Sequence, residues 1–270
     1  MALQSPKAPN ILARILEAQQ DLQATGAVIE TDSDLCKELL ATINAPYFSL
    51  VREIKTATEA TLLLGSQRVI NLATARLLRR TFFASSKPSL QEIWKTSLRV
   101  AIIGVLVSKA LSKASPDEVY TSCLFFNVGM SLLYSQHEHY LKEIKIAYQD
   151  EVQSISLSEV SAFGQSHADL SAQIAEAWGL NKTITQAIAL HHSPDALKAA
   201  IAKDDDLGEL LLVIKVAEHI AKLPGYLVKA EVDVEWNLVG PTILDELVLT
   251  EGMFKRFEHT IKTKLSQIKG

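Results

Sequence analysis

Apolar residues recur at three- and four-residue intervals along almost the whole chain, and alternating β-branched runs are scarce, so the pattern predicts helix after helix. Only Ala230 to Val234 alternates like a strand, and that stretch is short. Helix starts are legible as a hydroxyl followed three residues later by a glutamate: Thr56 with Glu59, Ser89 with Glu92, Ser115 with Glu118 and Ser156 with Glu159. In this capping box the hydroxyl accepts from a first-turn N–H and the carboxylate reaches back. Pro116 fits the first helical position, where a missing N–H costs nothing.

These signals predict helices over residues 9–24, 32–44, 56–64, 66–83, 89–113, 116–134, 137–149, 156–163, 167–178, 181–192, 194–203, 207–222 and 251–268. The polar Ser85-Ser86-Lys87-Pro88 segment marks a boundary between a first helical lobe (1–85) and a larger one (86–225). Past Leu223-Pro224-Gly225 an extension (226–270) has few helix starts until a last helix with Phe254, Phe257, Ile261, Leu265 and Ile268 on one stripe. That stripe is expected to pack on the body.

Composition narrows the class. At 270 residues the chain buries a large core without disulfides. Cys36 and Cys123 sit in apolar helical runs with no metal-ligand spacing, and read as buried thiols. Apolar stretches such as Val100 to Val107 are too short to span a bilayer, and the first residues lack a secretory pattern, so a cytoplasmic protein is expected. A net charge of -4 argues against nucleic acid as a partner. Arg68, Arg76, Arg79 and Arg80 form a local basic stripe, read as a solvated helix face.

The segments Asp34–Phe48, Thr58–Val69, Trp94-Lys95-Thr96-Ser97, Cys123–Met130, Gly164–Leu170, Trp178-Gly179-Leu180 and Ala187–His192 together resemble the HDOD family of bacterial signalling domains. The family pairs an Asn-small helix end with a Glu-Ala-x-x-x-Leu-Gly helix, here Asn44-Ala45 and Glu59 to Gly65. Asn44 reads as a cap fixing the loop before Pro46. The likeness implies an all-α, two-lobed architecture whose central lobe resembles the helical core of the HD superfamily of metal-dependent phosphohydrolases.

Catalytic relatives in that superfamily hold one or two divalent ions with a His-Asp pair and further His and Asp residues, because activation of water needs lone pairs and a bridging carboxylate. Here the pair is Phe126-Asn127 and the earlier histidine position is Thr96. His167, His191 and Glu218 remain. His191 and His192 would point about 100° apart on a helix and share an ion only if the helix unwinds. His137 and His139, like His219 and His259, read as surface residues. The resemblance therefore implies no enzyme and no cofactor. It implies a regulatory protein that binds a signalling partner or a small nucleotide or second messenger, through a degenerate pocket of Thr96, Phe126, Asn127, His167, His191 and Glu218. A residual phosphohydrolase using one ion on His167, His191 and Glu218, or a nucleotide sensor without turnover, is the alternative.

Overall fold

The computed structural model describes residues 7–84, 87–148, 150, 154–203, 205–222 and 232–268, and among them every regular element is a helix. The first group comprises α1 (Asn10–Glu17), α2 (Leu22–Glu30), α3 (Ser33–Ile43), α4 (Ala57–Leu64) and α5 (Ser66–Phe82). The second comprises α6 (Pro88–Leu111), α7 (Pro116–Phe125), α8 (Val128–Gln136), α9 (Tyr140–Ala147), α10 (Ile155–Phe163), α11 (His167–Ala177), α12 (Lys182–Leu190), α13 (Pro194–Ile201) and α14 (Asp206–Ala221). Two more follow, α15 (Val234–Glu246) and α16 (Glu251–Gln267).

Several predicted boundaries move, each for a local reason. The expected helix 9–24 divides because Asp21 caps a new start, accepting from the N–H groups of Gln23 and Ala24 at 2.9 and 3.0 Å. Of the four capping boxes, Thr56 accepts from Glu59 N at 3.0 Å as expected, and Glu59 returns to Lys55 N at 2.8 Å. Ser115 bonds the Asp117 carboxylate instead, and α6 starts one residue early with Pro88 first. At α10 the cap is Ser154, accepting from Leu157 N, so Glu159 lies further inside the helix and is buried. The expected strand fails: Ala230 and Glu231 lie outside the described residues, and Val234 opens α15 behind its cap Asp233, which accepts from Trp236 N at 3.0 Å. Ser85, Ser86 and Leu223-Pro224-Gly225 also lie outside the described residues.

The core centres on α6, packed between α7 and α14, and these helices are buried on nearly every side. One apolar cluster continues from Leu12 to Ile261. Gly65, at φ 85°, lets α4 close and α5 open at an angle, a conformation that side chains resist. Asn44 clasps the loop after α3, donating to Ile54 O and accepting from Ile54 N, both at 2.8 Å. α16 packs on α6, burying Phe254 and Ile261 and half-burying Phe257, Leu265 and Ile268. The arginine stripe is not a bare solvated face. Arg68 pairs with Asp117 at 2.8 Å, Arg80 pairs with Asp32 at 2.9 Å, Arg76 bonds Thr42 and Tyr120, and Arg79 lies over the Trp94 ring. No helix among the described residues is long and apolar enough to cross a membrane.

Candidate functional site

The site begins where the expected helix 116–134 breaks. α7 ends as Phe126 N bonds Ser122 O, and Asn127, at φ -105° and ψ 8°, turns the chain into α8. A helix start leaves its first N–H groups without acceptors. Gly129 N finds one on another helix, donating to Ser171 Oγ of α11 at 2.8 Å. α8 thereby closes on the first turn of α11, so tightly that a Cβ on Gly129 would stand 2.2 Å from the His167 carbonyl oxygen.

His167 opens α11. Its Nδ1 lies 2.6 Å from Glu159 Oε2, which also accepts from His167 N at 2.8 Å, while Tyr140 donates to Glu159 Oε1 at 2.6 Å. Burial pushes the Glu159 carboxyl up, but the His167 and Tyr140 contacts outweigh it and hold the group below the ordinary glutamate value. The carboxylate form accepts, so Nδ1 donates.

His191 and His192 follow α12, which stops at Leu190 because Ser193 and Pro194 open the next helix and the residue before a proline avoids helical geometry. The helix has ended, and both rings turn to the same place. His191 Nδ1 meets the Ile188 carbonyl at 2.7 Å, and His192 Nδ1 meets Glu235 Oε1 at 2.7 Å. A carbonyl only accepts, so His191 also carries its proton on Nδ1. Burial, and then the neighbouring His192, His167 and Lys215, hold His191 well below the ordinary histidine value, hence neutral.

One ring nitrogen from each of His167, His191 and His192 lies within 4.8 Å of those from the other two. With every Nδ1 engaged, the Nε2 atoms of all three are buried and without a hydrogen-bond partner among the described residues. Glu218 is not among those three, although its Oε1 too is buried without a hydrogen-bond partner among the described residues. Its Oε2 pairs with Lys215 Nζ at 2.6 Å, and the same ammonium holds Glu235 Oε2 at 2.6 Å. Burial raises the Glu218 carboxyl; Glu235 is held low despite burial by His192 and Lys215, which in turn is raised by both carboxylates. Phe126 sits edge-on to His191 with centroids 5.0 Å apart. Thr96 Oγ1 and both Asn127 amide atoms are buried without a partner among the described residues. Beside the trio lies a cavity of about 580 Å³, lined by Tyr148, Asp169, His192, Asp195, Lys198 and Glu235 among others.

The sequence reading missed His192, Glu159, Lys215 and Glu235. For His192 a signal existed: Ser193-Pro194 forces α12 to end early. The other histidines are scattered. His137 lies against Phe163, His139 and His259 are exposed, and His219 stacks on Trp236 at 4.0 Å while bonding Asp233.

Three nitrogen donors, each with its second nitrogen tied to an acceptor, fit a single transition-metal ion. They do not fit a bridged pair of ions, because Phe126 has no lone pair and Lys215 occupies Glu218 and Glu235.

The HDOD domain family matches residues 5–194, and the chain belongs to that family. No functionally curated protein matches it. Its fold is similar to that of an HDOD domain protein from Geobacter sulfurreducens, at 20% identity over 98% of this chain and 91% of the other, with a TM-score of 0.67. It is also similar to a candidate phosphohydrolase from Shewanella amazonensis SB2B, at 18% identity over 94% of each chain and a TM-score of 0.62. A candidate signal transduction protein from Marinobacter aquaeolei VT8 aligns at 15% identity over all of this chain and 63% of the other, with a TM-score of 0.54. At these identities the likeness is one of fold.

Proposed function

We propose that this HDOD protein is a non-catalytic regulator in bacterial signal transduction, acting by binding a protein or small ligand rather than by hydrolysing a phosphoester. The observation that carries this reading is the Phe126 ring packed against His191, at the position where the superfamily's hydrolases place the histidine of their His-Asp pair. Its neighbour Asn127 brings a neutral amide where a bridging carboxylate is needed. Two carboxylates nearby, buried Glu218 and half-buried Glu235, are both held by Lys215. A signalling role also agrees with the name of the Marinobacter relative, whereas the Shewanella relative's name points to the competing phosphohydrolase reading.

The acidic lining of the cavity favours a cationic ligand over a nucleotide, since Asp150, Asp169 and Asp195 outnumber Lys198 even with Glu235 paired to Lys215 and Asp233 to His219. The test is a set of assays on cyclic dinucleotides and generic phosphodiesters with Mn²⁺, Mg²⁺ or Zn²⁺ present. No turnover is expected from the wild type. Turnover that is abolished by His167→Ala and by His191→Ala would overturn the proposal.

A further inference from the structure

The Nε2 atoms of His167, His191 and His192 pose a question that the binding role alone does not answer. A buried polar atom without a partner is destabilising, and three of them here come from one cluster. Their orientation is not accidental to packing. Each Nδ1 donates to an acceptor from a different part of the fold: Glu159 on α10, Ile188 O on α12 and Glu235 on α15. Anchoring one imidazole nitrogen on a carboxylate or carbonyl presents the lone pair of the other, the arrangement that supports metal-bound histidines.

We propose that His167, His191 and His192 hold one transition-metal ion of the zinc, cobalt or nickel class through their Nε2 atoms, as a bound ligand of the regulator. Imidazole nitrogens suit these borderline ions, and three ligands leave an open coordination position. Ligand nitrogens around a tetrahedral ion at ~2.1 Å stand about 3.4 Å apart. The candidate ring nitrogens lie within 4.8 Å of one another, so binding draws the three rings closer around the ion. Phe126, edge-on to His191, supplies an apolar wall.

Charge selects the occupant. The adjoining cavity reaches His192, and its acidic lining concentrates cations and repels phosphates. A second, independent pointer is the Tyr148 hydroxyl, which lines the same cavity, is buried and has no partner among the described residues. The stoichiometry is one ion, because the ammonium of Lys215 already supplies the positive charge between Glu218 and Glu235. Glu218 is consequently outside the ligand set, and His192 is inside it.

The proposal rests on the reading of this pocket as a binding site, and the two fail differently. Metal binding accompanied by turnover would sink the non-catalytic role and leave the metal site standing. Absence of metal would sink the site and leave the role.

The experiment uses the full chain, stripped with a chelator and titrated with Co²⁺ while visible absorption is followed, with Zn²⁺ competition and elemental analysis for stoichiometry. One ion per chain is expected, with ligand-field bands that Zn²⁺ abolishes. His192→Ala should weaken binding about 100-fold or more, while Glu218→Gln should change it by only a few-fold, both read on protein whose helical circular dichroism matches wild type. Should His192→Ala fail to fold, His192→Gln replaces it, with the same loss expected. No saturable bands in the wild type, wild-type affinity in the His192 variant, or loss of binding in Glu218→Gln would each overturn the assignment.

Discussion

His167 Nδ1 lies 2.6 Å from Glu159 Oε2, and that same oxygen accepts from the His167 backbone N–H, so one carboxylate fixes both a ring and the start of α11. Glu159→Ala removes the shared acceptor and also strands the Tyr140 hydroxyl. Three buried donors lose their acceptor, each at about 1–3 kcal/mol, so a total of about 3–5 kcal/mol is expected after partial relaxation. Urea unfolding of Glu159→Ala should show a loss in that range, whereas an effect below about 1 kcal/mol would mean that the contact does not anchor the site.

Lys215 offers a second measurement. Its ammonium stands 2.6 Å from both Glu218 and Glu235, all three largely buried. Lys215→Met leaves two carboxylates facing a neutral chain, with an expected loss of about 3–5 kcal/mol at pH 7. Denaturation of the variant at neutral pH checks this, and a stability equal to wild type would contradict the bridge.

The contact of α8 with α11 is sensitive to a single methyl group. In Gly129→Ala the new Cβ would meet the His167 carbonyl oxygen at 2.2 Å and its Cα at 2.9 Å, both backbone atoms that cannot swing aside. Overpacking of this kind is destabilising by about 1–3 kcal/mol. A lowered thermal midpoint is expected, together with weaker Co²⁺ binding, because the helix that must shift carries His167.

Asp32 carries a pH dependence. Partial burial raises its carboxyl, but the Leu35 N–H and the Arg80 guanidinium outweigh that and hold it below the ordinary value of 3.8. A group with a depressed folded-state pKa stabilises the protein above its unfolded pKa, and the contribution disappears as pH falls through the folded value. Asp32→Asn keeps a good cap and removes the charge. The variant should therefore be less stable than wild type above pH ~5, with the gap closing toward pH ~2. A gap that stays constant in urea titrations across this range would show that the charge contributes nothing.

Much of the helical framework was legible because periodic apolar spacing and hydroxyl or proline starts are local signals. Thr56, Ser166, Asn181 and Ser193 cap helices close to where the pattern places them. α15 is hard to read from sequence because Pro241, a residue that disfavours helix interiors, lies inside it and its charged start follows a stretch that alternates like a strand. The site was half legible. The family resemblance marks His167 and His191 as donors, but the part played by Glu159 depends on whether Ser154 or Ser156 caps α10, a choice of two residues that turns the carboxylate inward. Lys215 and Glu235 find each other only through the packing of α14 and α15, which no short-range spacing encodes.

The three anchors of the histidine rings differ in how far apart they lie along the chain: 3 residues for His191 with Ile188, 8 for His167 with Glu159, and 43 for His192 with Glu235. Closing a longer loop costs more conformational entropy, so the third anchor depends most on the rest of the fold. Two rings are held by anchors close by in the chain, whereas the third is held only while α15 is docked. His192 is therefore the ring through which undocking of α15 would reach the other two.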